Sequence, residues 1–251
     1  MVLFVAFLNA AAVGMDYRWG PIDERKNTDK NHNPVLYLTG EIKTGDSERF
    51  RAFLRRDFEK YAKSMRLVRL SSDGGDILEA LKIGKIVRAM YAEITVLETC
   101  ASACFLIYVS AVNRASFGRV GIHRPYFEQT YFSALSASEA EARHSELAKL
   151  VDSFLYQNSV PRHIIEKMNR SSSKSIHWLT GTELEEVGRY PAWYEEFLLA
   201  KCKKAPKDIA DEVRMAVSSE PAYVQWLGCV EKSISPELQT QLLPVLNAKN
   251  R

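Results

Sequence analysis

Between Val35 and Ala111 the chain alternates three short β-favouring runs with three stretches of helical periodicity, and that rhythm leaves few architectures open. The runs are Val35-Leu36-Tyr37-Leu38-Thr39-Gly40, residues 67–70 and Glu93-Ile94-Thr95-Val96-Leu97, each short and mostly apolar. Residues 47–64 place Phe50, Phe53, Leu54, Phe58 and Tyr61 on one helical face. Asp76 stands where it can cap a second helix, whose apolar positions are Ile77, Leu81, Ile83, Ile86 and Val87. Residues 101–111 are apolar nearly all round, the pattern of a helix buried in a core. Strands joined by helical crossovers pair in parallel, so the expected class is α/β around a mostly parallel sheet. Downstream, residues 115–123 read as strand and 136–158 as a long helix. Pro161 opens another helix at its first turn, then a short strand at 178–180 and a short helix at 182–187 follow. From Pro191 onward the patterns are helical only.

Hydrophobic residues make up 46% of the chain and charged residues 26%, which suffices for a core and leaves little room for extensive disorder. The net charge is +3, and bases are interleaved with acids, as in residues 48–57, so no basic surface for nucleic acid is expected. Residues 1–14 are apolar, too few to span a bilayer, and include Ala10-Ala11-Ala12. That is the apolar core and cleavage region of an export signal, although no Lys or Arg precedes it. The mature chain is expected to begin near Val13 or Met15, and a buried first element is the alternative. Residues 15–34 are polar and turn-rich, the composition of a linker. Cys100 lies near Cys104, and Cys202 and Cys229 sit in the C-terminal third. Two local pairs suit two disulfides in an oxidising compartment; four buried thiols are the alternative. The spacing matches no zinc site, and no metal or cofactor is expected.

Chemistry concentrates in three segments that each follow an expected strand. Gly74-Gly75 offers backbone N–H groups in conformations open to glycine, suited to an anion, though a plain turn is the commoner use. Ser102, in Cys100-Ala101-Ser102-Ala103-Cys104, falls at a strand–helix junction, where a capping role competes with that of a nucleophile. His123, before Arg124-Pro125, is placed like a general base, or like a half-buried histidine bonded to backbone.

Taken together these segments resemble the Clp-type serine peptidases. SSDGGDILEALKIGKIVRAM is similar to that family's glycine-pair-plus-helix segment, ETCASACFLIYVSAVNR to its nucleophile segment and GRVGIHRPYF to its histidine segment. WLTGTELEEVG, from Trp178 to Gly188, resembles its late strand–helix segment. The resemblance covers residues 35–190 and implies a Clp-protease/crotonase-like ββα superhelix of repeated β-β-α and βαβ units, with residues 191–251 as a helical C-terminal extension. It also implies Ser102 as nucleophile, His123 as base, and the Gly75 and Ala103 N–H groups as oxyanion hole. The paired cysteines and apolar N-terminus point to a periplasmic Clp-like branch acting on peptide or protein substrates. A homo-oligomer is implied by the resemblance, whereas an ATP-driven unfoldase is not expected outside the cytoplasm.

One position departs from the family pattern. Where its catalytic Asp would stand this chain has Ile176, and no Asp occurs between Asp152 and Asp208. Ser173, Ser175, His177 or a backbone carbonyl are the groups left to orient the imidazole, or Ser102 and His123 act as a dyad. The main alternative is therefore a weakly active or inactive protein that binds peptides or assembles with partners. A crotonase-type acyl-CoA enzyme would not need this Ser–His pair, and a Ser–Lys mechanism would call on Lys82 or Lys85, ranked below His123. Cys202 and Cys229 bracket a helix expected over residues 209–217 and suggest a stapled helical cap.

Overall fold

The computed structural model describes residues 14–21, 34–62, 64–127, 129–189, 191–203 and 221–248. The export-signal residues 1–13 and the helix expected over 209–217 lie outside the described residues.

Three strand–helix pairs, read in chain order, build the centre: β2 (Val35–Thr39) with α1 (Asp46–Tyr61), β3 (Leu67–Ser72) with α2 (Ile77–Ala89), and β4 (Glu93–Ala101) with α3 (Cys104–Ser110). Leu36, Leu38, Val68, Leu70, Ile94 and Val96 alternate onto one sheet face and are at most 1% exposed. Phe50 and Leu54 of α1 and Ile83 and Ile86 of α2 belong to the same core. Each fully buried side chain of this size contributes about 1.5–3 kcal/mol, so this interface dominates the fold. Asp76 caps α2 as expected, its carboxylate accepting from the Leu78 and Glu79 N–H groups.

The sheet has seven strands in the order β1-β2-β3-β4-β6-β7, where β1 is Asp16–Gly20, β6 Arg119–Ile122 and β7 His177–Trp178. β5 (Asn113–Ser116) pairs with the first half of β4, and β6 with its end. Strands β2, β3, β4, β5 and β6 run parallel, while β1 and β7 are antiparallel edges. The fold is thus mixed α/β, as the pattern predicts.

Several expectations are corrected. Residues 16–20, inside the expected linker, are a sheet strand, and Met15 just before them is 1% exposed. Its N–H donates to Asp46 Oδ2 at 2.9 Å, tying β1 to the start of α1. The third strand runs to Ala101, beyond the expected Leu97, and the helix after it starts at Cys104. Residues 115–123 divide into β5 and β6, because a turn at Gly118 packs against the Glu98 carbonyl, 2.1 Å from where a Cβ would stand.

Beyond the sheet come α4 (Gln129–Phe132), α5 (Ala137–Gln157), α6 (Arg162–Arg170) and α7 (Gly181–Gly188). Capping boxes at Ser136–Glu139 and Thr180–Glu183 set the starts of α5 and α7. Between these elements Arg114 is buried, its guanidinium donating to the carbonyls of Ala111, Val187 and Asn158. The C-terminal part contains α8 (Ala192–Cys202), α9 (Pro221–Glu237), a π-helical turn (Leu238–Leu242) and α10 (Leu243–Asn247). Helices α8 and α9 share a small cluster of Tyr194, Leu198, Trp226, Val230 and Ile234, closed by the Cys202–Cys229 disulfide. Leu238, Leu242 and Leu246 instead join the main core, so this extension is partly an integral layer over α1 and α2. Among the described residues no helix is long and apolar enough to cross a membrane.

Candidate active site

Parallel strands present their carboxyl ends on one side, where open α/β sheets build their ligand sites. Here the ends of β3, β4 and β6 deliver Gly74-Gly75, Ser102 and His123 to one place. The strand register produces this convergence. Leu70 pairs with Val96 but Ser72 pairs with Cys100, so β4 carries two extra residues in a bulge that advances its end.

Gly74 and Gly75 have φ of 108° and 135°, a region closed to side chains without strain. A Cβ on Gly75 would lie 2.1 Å from the Ile42 carbonyl oxygen, and one on Gly74 would lie 2.7 Å from the Ser102 Cβ. The pair is pinned by Ile42, whose N–H donates to the Gly74 carbonyl at 2.8 Å. Among the described residues the Gly75 and Ala103 N–H groups have no hydrogen-bond acceptor. Both are left available to an anion or a polarised carbonyl.

Ser102 occupies the sharp turn between β4 and α3 with φ of 57°, an uncommon value for a residue with a side chain. Its N–H donates to the Gly121 carbonyl at 3.0 Å, and its own carbonyl accepts from Phe105 N–H at 3.0 Å. It precedes the helix by two residues, so it is not the helix cap; Ala103 holds that position without a side-chain bond. Cys100 and Cys104 are joined across it, their Cα atoms 5.3 Å apart.

His123 follows β6 directly. Its Nδ1 lies 2.9 Å from the Arg124 carbonyl oxygen, which can only accept, so Nδ1–H is the donor and Nε2 is left for another partner. Ser102, Ala103 and His123 line one small, open cleft. Its wall is apolar, formed by Ile77 of α2, Leu106 of α3, Val151 of α5 and Met168 of α6. No hydrogen bond joins Ser102 to His123 among the described residues.

The remaining candidates are placed elsewhere. β7 pairs antiparallel with β6, matching Gly121 with Trp178 and Ile122 with His177; continuing that register sets Ile176 across from His123. His177 hydrogen-bonds Glu183 at 3.3 Å, within a cluster that also holds Lys167 and the Thr180 N–H. Burial pushes the Glu183 carboxyl up, but hydrogen bonds from Lys167, Thr180 and His177 bring it down to about 2. Ser175 is exposed in the loop before β7, and its N–H donates weakly to Ser172 at 3.5 Å. Lys82 pairs with Glu79 at 2.8 Å and does not line the cleft.

Of the orienting groups open to His123, the one in contact is thus a backbone carbonyl. The sequence carries a signal for it in Pro125, because a residue before proline is held extended. The contributions of Val151 and Met168 arise from tertiary packing of α5 and α6 and have no local signature. Among the described residues no group of His, Cys, Asp and Glu side chains is arranged to hold a metal ion. Neither models of known protein families nor curated protein sequences match this chain.

Proposed function

We propose that this chain is an exported serine hydrolase of the Clp-peptidase type, in which Ser102 attacks a carbonyl and His123 serves as base. The observation that carries it is one cleft lined by Ser102, Ala103 and His123, with Gly74 packed against the serine and, among the described residues, no acceptor on the Ala103 N–H or on that of Gly75 next to Gly74. In this reading Ser102 Oγ donates to His123 Nε2, which takes its proton as the carbonyl carbon is attacked. The Gly75 and Ala103 N–H groups receive the developing oxyanion. Nε2 then returns the proton to the leaving amine or alcohol, and water repeats the sequence on the acyl-enzyme. Nδ1–H stays bonded to the Arg124 carbonyl throughout, which keeps the ring in the required tautomer.

The ββα superhelix of the Clp/crotonase type belongs to the same proposal, supported by the consecutive units β2-α1-β3 and β3-α2-β4. Two disulfides support a non-reducing location for the working protein. A second reading, a peptide-binding or assembly protein without turnover, is favoured by Ile176, an apolar residue packed near Gly121 at the sequence position where the family has its acid.

Labelling with a fluorophosphonate probe separates the two. Wild type should label, Ser102→Ala should fall to background, and His123→Ala should lose about 10²–10⁴-fold in rate. Absence of labelling in folded wild type would leave the binding reading.

A further inference from the structure

The disulfide at the site is in an unusual place for a staple. Cys100 and Cys104 flank Ser102 with one alanine on each side, so the bridge closes a small ring with the serine at its centre. The sequence separation is 4, against 27 for Cys202 and Cys229. A ring that small removes much less freedom from the unfolded chain than the large one, so global stability is a poor reason for it. Its surroundings need little help: both cysteines are fully buried in the main core, next to Phe105 and Ile107.

Geometry is the better reason. Ser102 must hold φ of 57° while strand β4 turns into helix α3. The Gly121 carbonyl fixes its N–H, and Gly74 closes in on its Cβ. Neither contact fixes the angle between β4 and α3, on which the Oγ direction and the Ala103 N–H both depend. Core packing holds α3 as a body, and a covalent link from Cys100 near the strand's end to Cys104, the first residue of the helix, adds a direct restraint at the turn itself. Because both cysteines are sealed from solvent, a dithiol reaches the bridge only when the core opens. The bridge is therefore a permanent clamp and not a reversible switch.

We infer that Cys100 and Cys104 are positioning residues: their disulfide holds Ser102 and the Ala103 N–H in the reactive arrangement, an inference that rests on the serine-hydrolase reading above. The test compares Cys100→Ala/Cys104→Ala with Cys202→Ala/Cys229→Ala and wild type. Fluorophosphonate labelling is followed over a range of probe concentrations, well below every melting temperature, to separate the maximal rate from the half-saturating concentration. The site variant should lose at least tenfold in maximal rate, with its half-saturation within about twofold. The distal variant should melt at a lower temperature than the site variant yet label at the wild-type rate, which a merely stabilising role for both bridges would not produce.

A folded site variant with a maximal rate within twofold of wild type overturns the inference and leaves the hydrolase reading standing. Wild type that fails to label removes both, and is seen first. Should the double variant not fold, Cys100→Ala alone keeps the sulfur at position 104 and is read the same way. Native wild type incubated with dithiothreitol and alkylated gives a further reading. Alkylation at both Cys100 and Cys104 with undiminished labelling would equally overturn the inference.

Discussion

The two disulfides sit in regions of opposite character. Around Cys100–Cys104 the sheet, α1, α2 and α3 form a continuous core, and the bridge is fully buried in it. Around Cys202–Cys229 the buried side chains that two helices share among the described residues form a small separate cluster with Tyr194 and Trp226. The loop-entropy relation gives roughly 2 kcal/mol for the short ring and roughly 3.5 kcal/mol for the long one. The larger covalent contribution thus falls in the smaller cluster, and the smaller one in the main core, where the proposed reading has a nucleophile to aim. A disulfide can make up for a small core or refine a large one, and on that reading this chain contains both uses.

That contrast can be broken at several points. The largest effect is expected for Gly75→Ala, which drives a Cβ into the Ile42 carbonyl at a φ of 135°. Backbone strain and the displaced loop should together cost about 4 kcal/mol or more in chemical denaturation, with labelling lost. A well-folded, fully reactive Gly75→Ala protein would remove the glycine pair from the site. Next comes Cys202→Ala/Cys229→Ala, expected to lose about 3.5 kcal/mol. For a domain of this size that is roughly a 10 °C fall in melting temperature. Calorimetry in which the Cys100/Cys104 variant loses more than this one would reverse the assignment of the two bridges.

A smaller effect is expected at Glu183, where α6, α7 and β7 meet behind the site. Its carboxyl is held at about 2, below its ordinary value of 4.5, so it stabilises the native state fully above 4.5. That contribution fades as pH falls from 4.5 through 2. Glu183→Gln should cost about 2 kcal/mol near neutrality, and urea titrations of both proteins should converge toward pH 2. A constant gap across that range would show that the carboxylate charge is not what matters. The smallest effect belongs to Lys82→Ala. Its ion pair with Glu79 is half exposed and should be worth about 0.5 kcal/mol or less, with the labelling rate unchanged. A large fall in labelling would revive the lysine as base.

Much of this was legible in the residues. The caps at Asp76, Ser136 and Thr180 act locally, through a side chain and N–H groups two or three positions on, so they can be read from spacing. The order Gly74-Gly75, Ser102, His123 was visible because each follows a strand end. What escaped reading depends on distant partners. β1 has only Tyr17 and Trp19 as inward residues between polar ones, and it becomes a strand because β2 offers an edge and Asp46 anchors Met15. The bulge that lengthens β4 exists only as a mismatch with β3. Leu238, Leu242 and Leu246 look like any amphipathic helix until the α1–α2 surface that receives them is known.

The bond from His123 to the Arg124 carbonyl has a consequence for heredity. An orienting group that belongs to the main chain is present whatever side chain stands at position 124. No alanine scan can delete it, and no alignment column records it. The nearest trace in the gene is the proline codon at 125, which limits how far the preceding carbonyl can swing. A lineage that let go of a carboxylate opposite its histidine could keep the ring oriented by this means, and the loss would look total to anyone counting side chains.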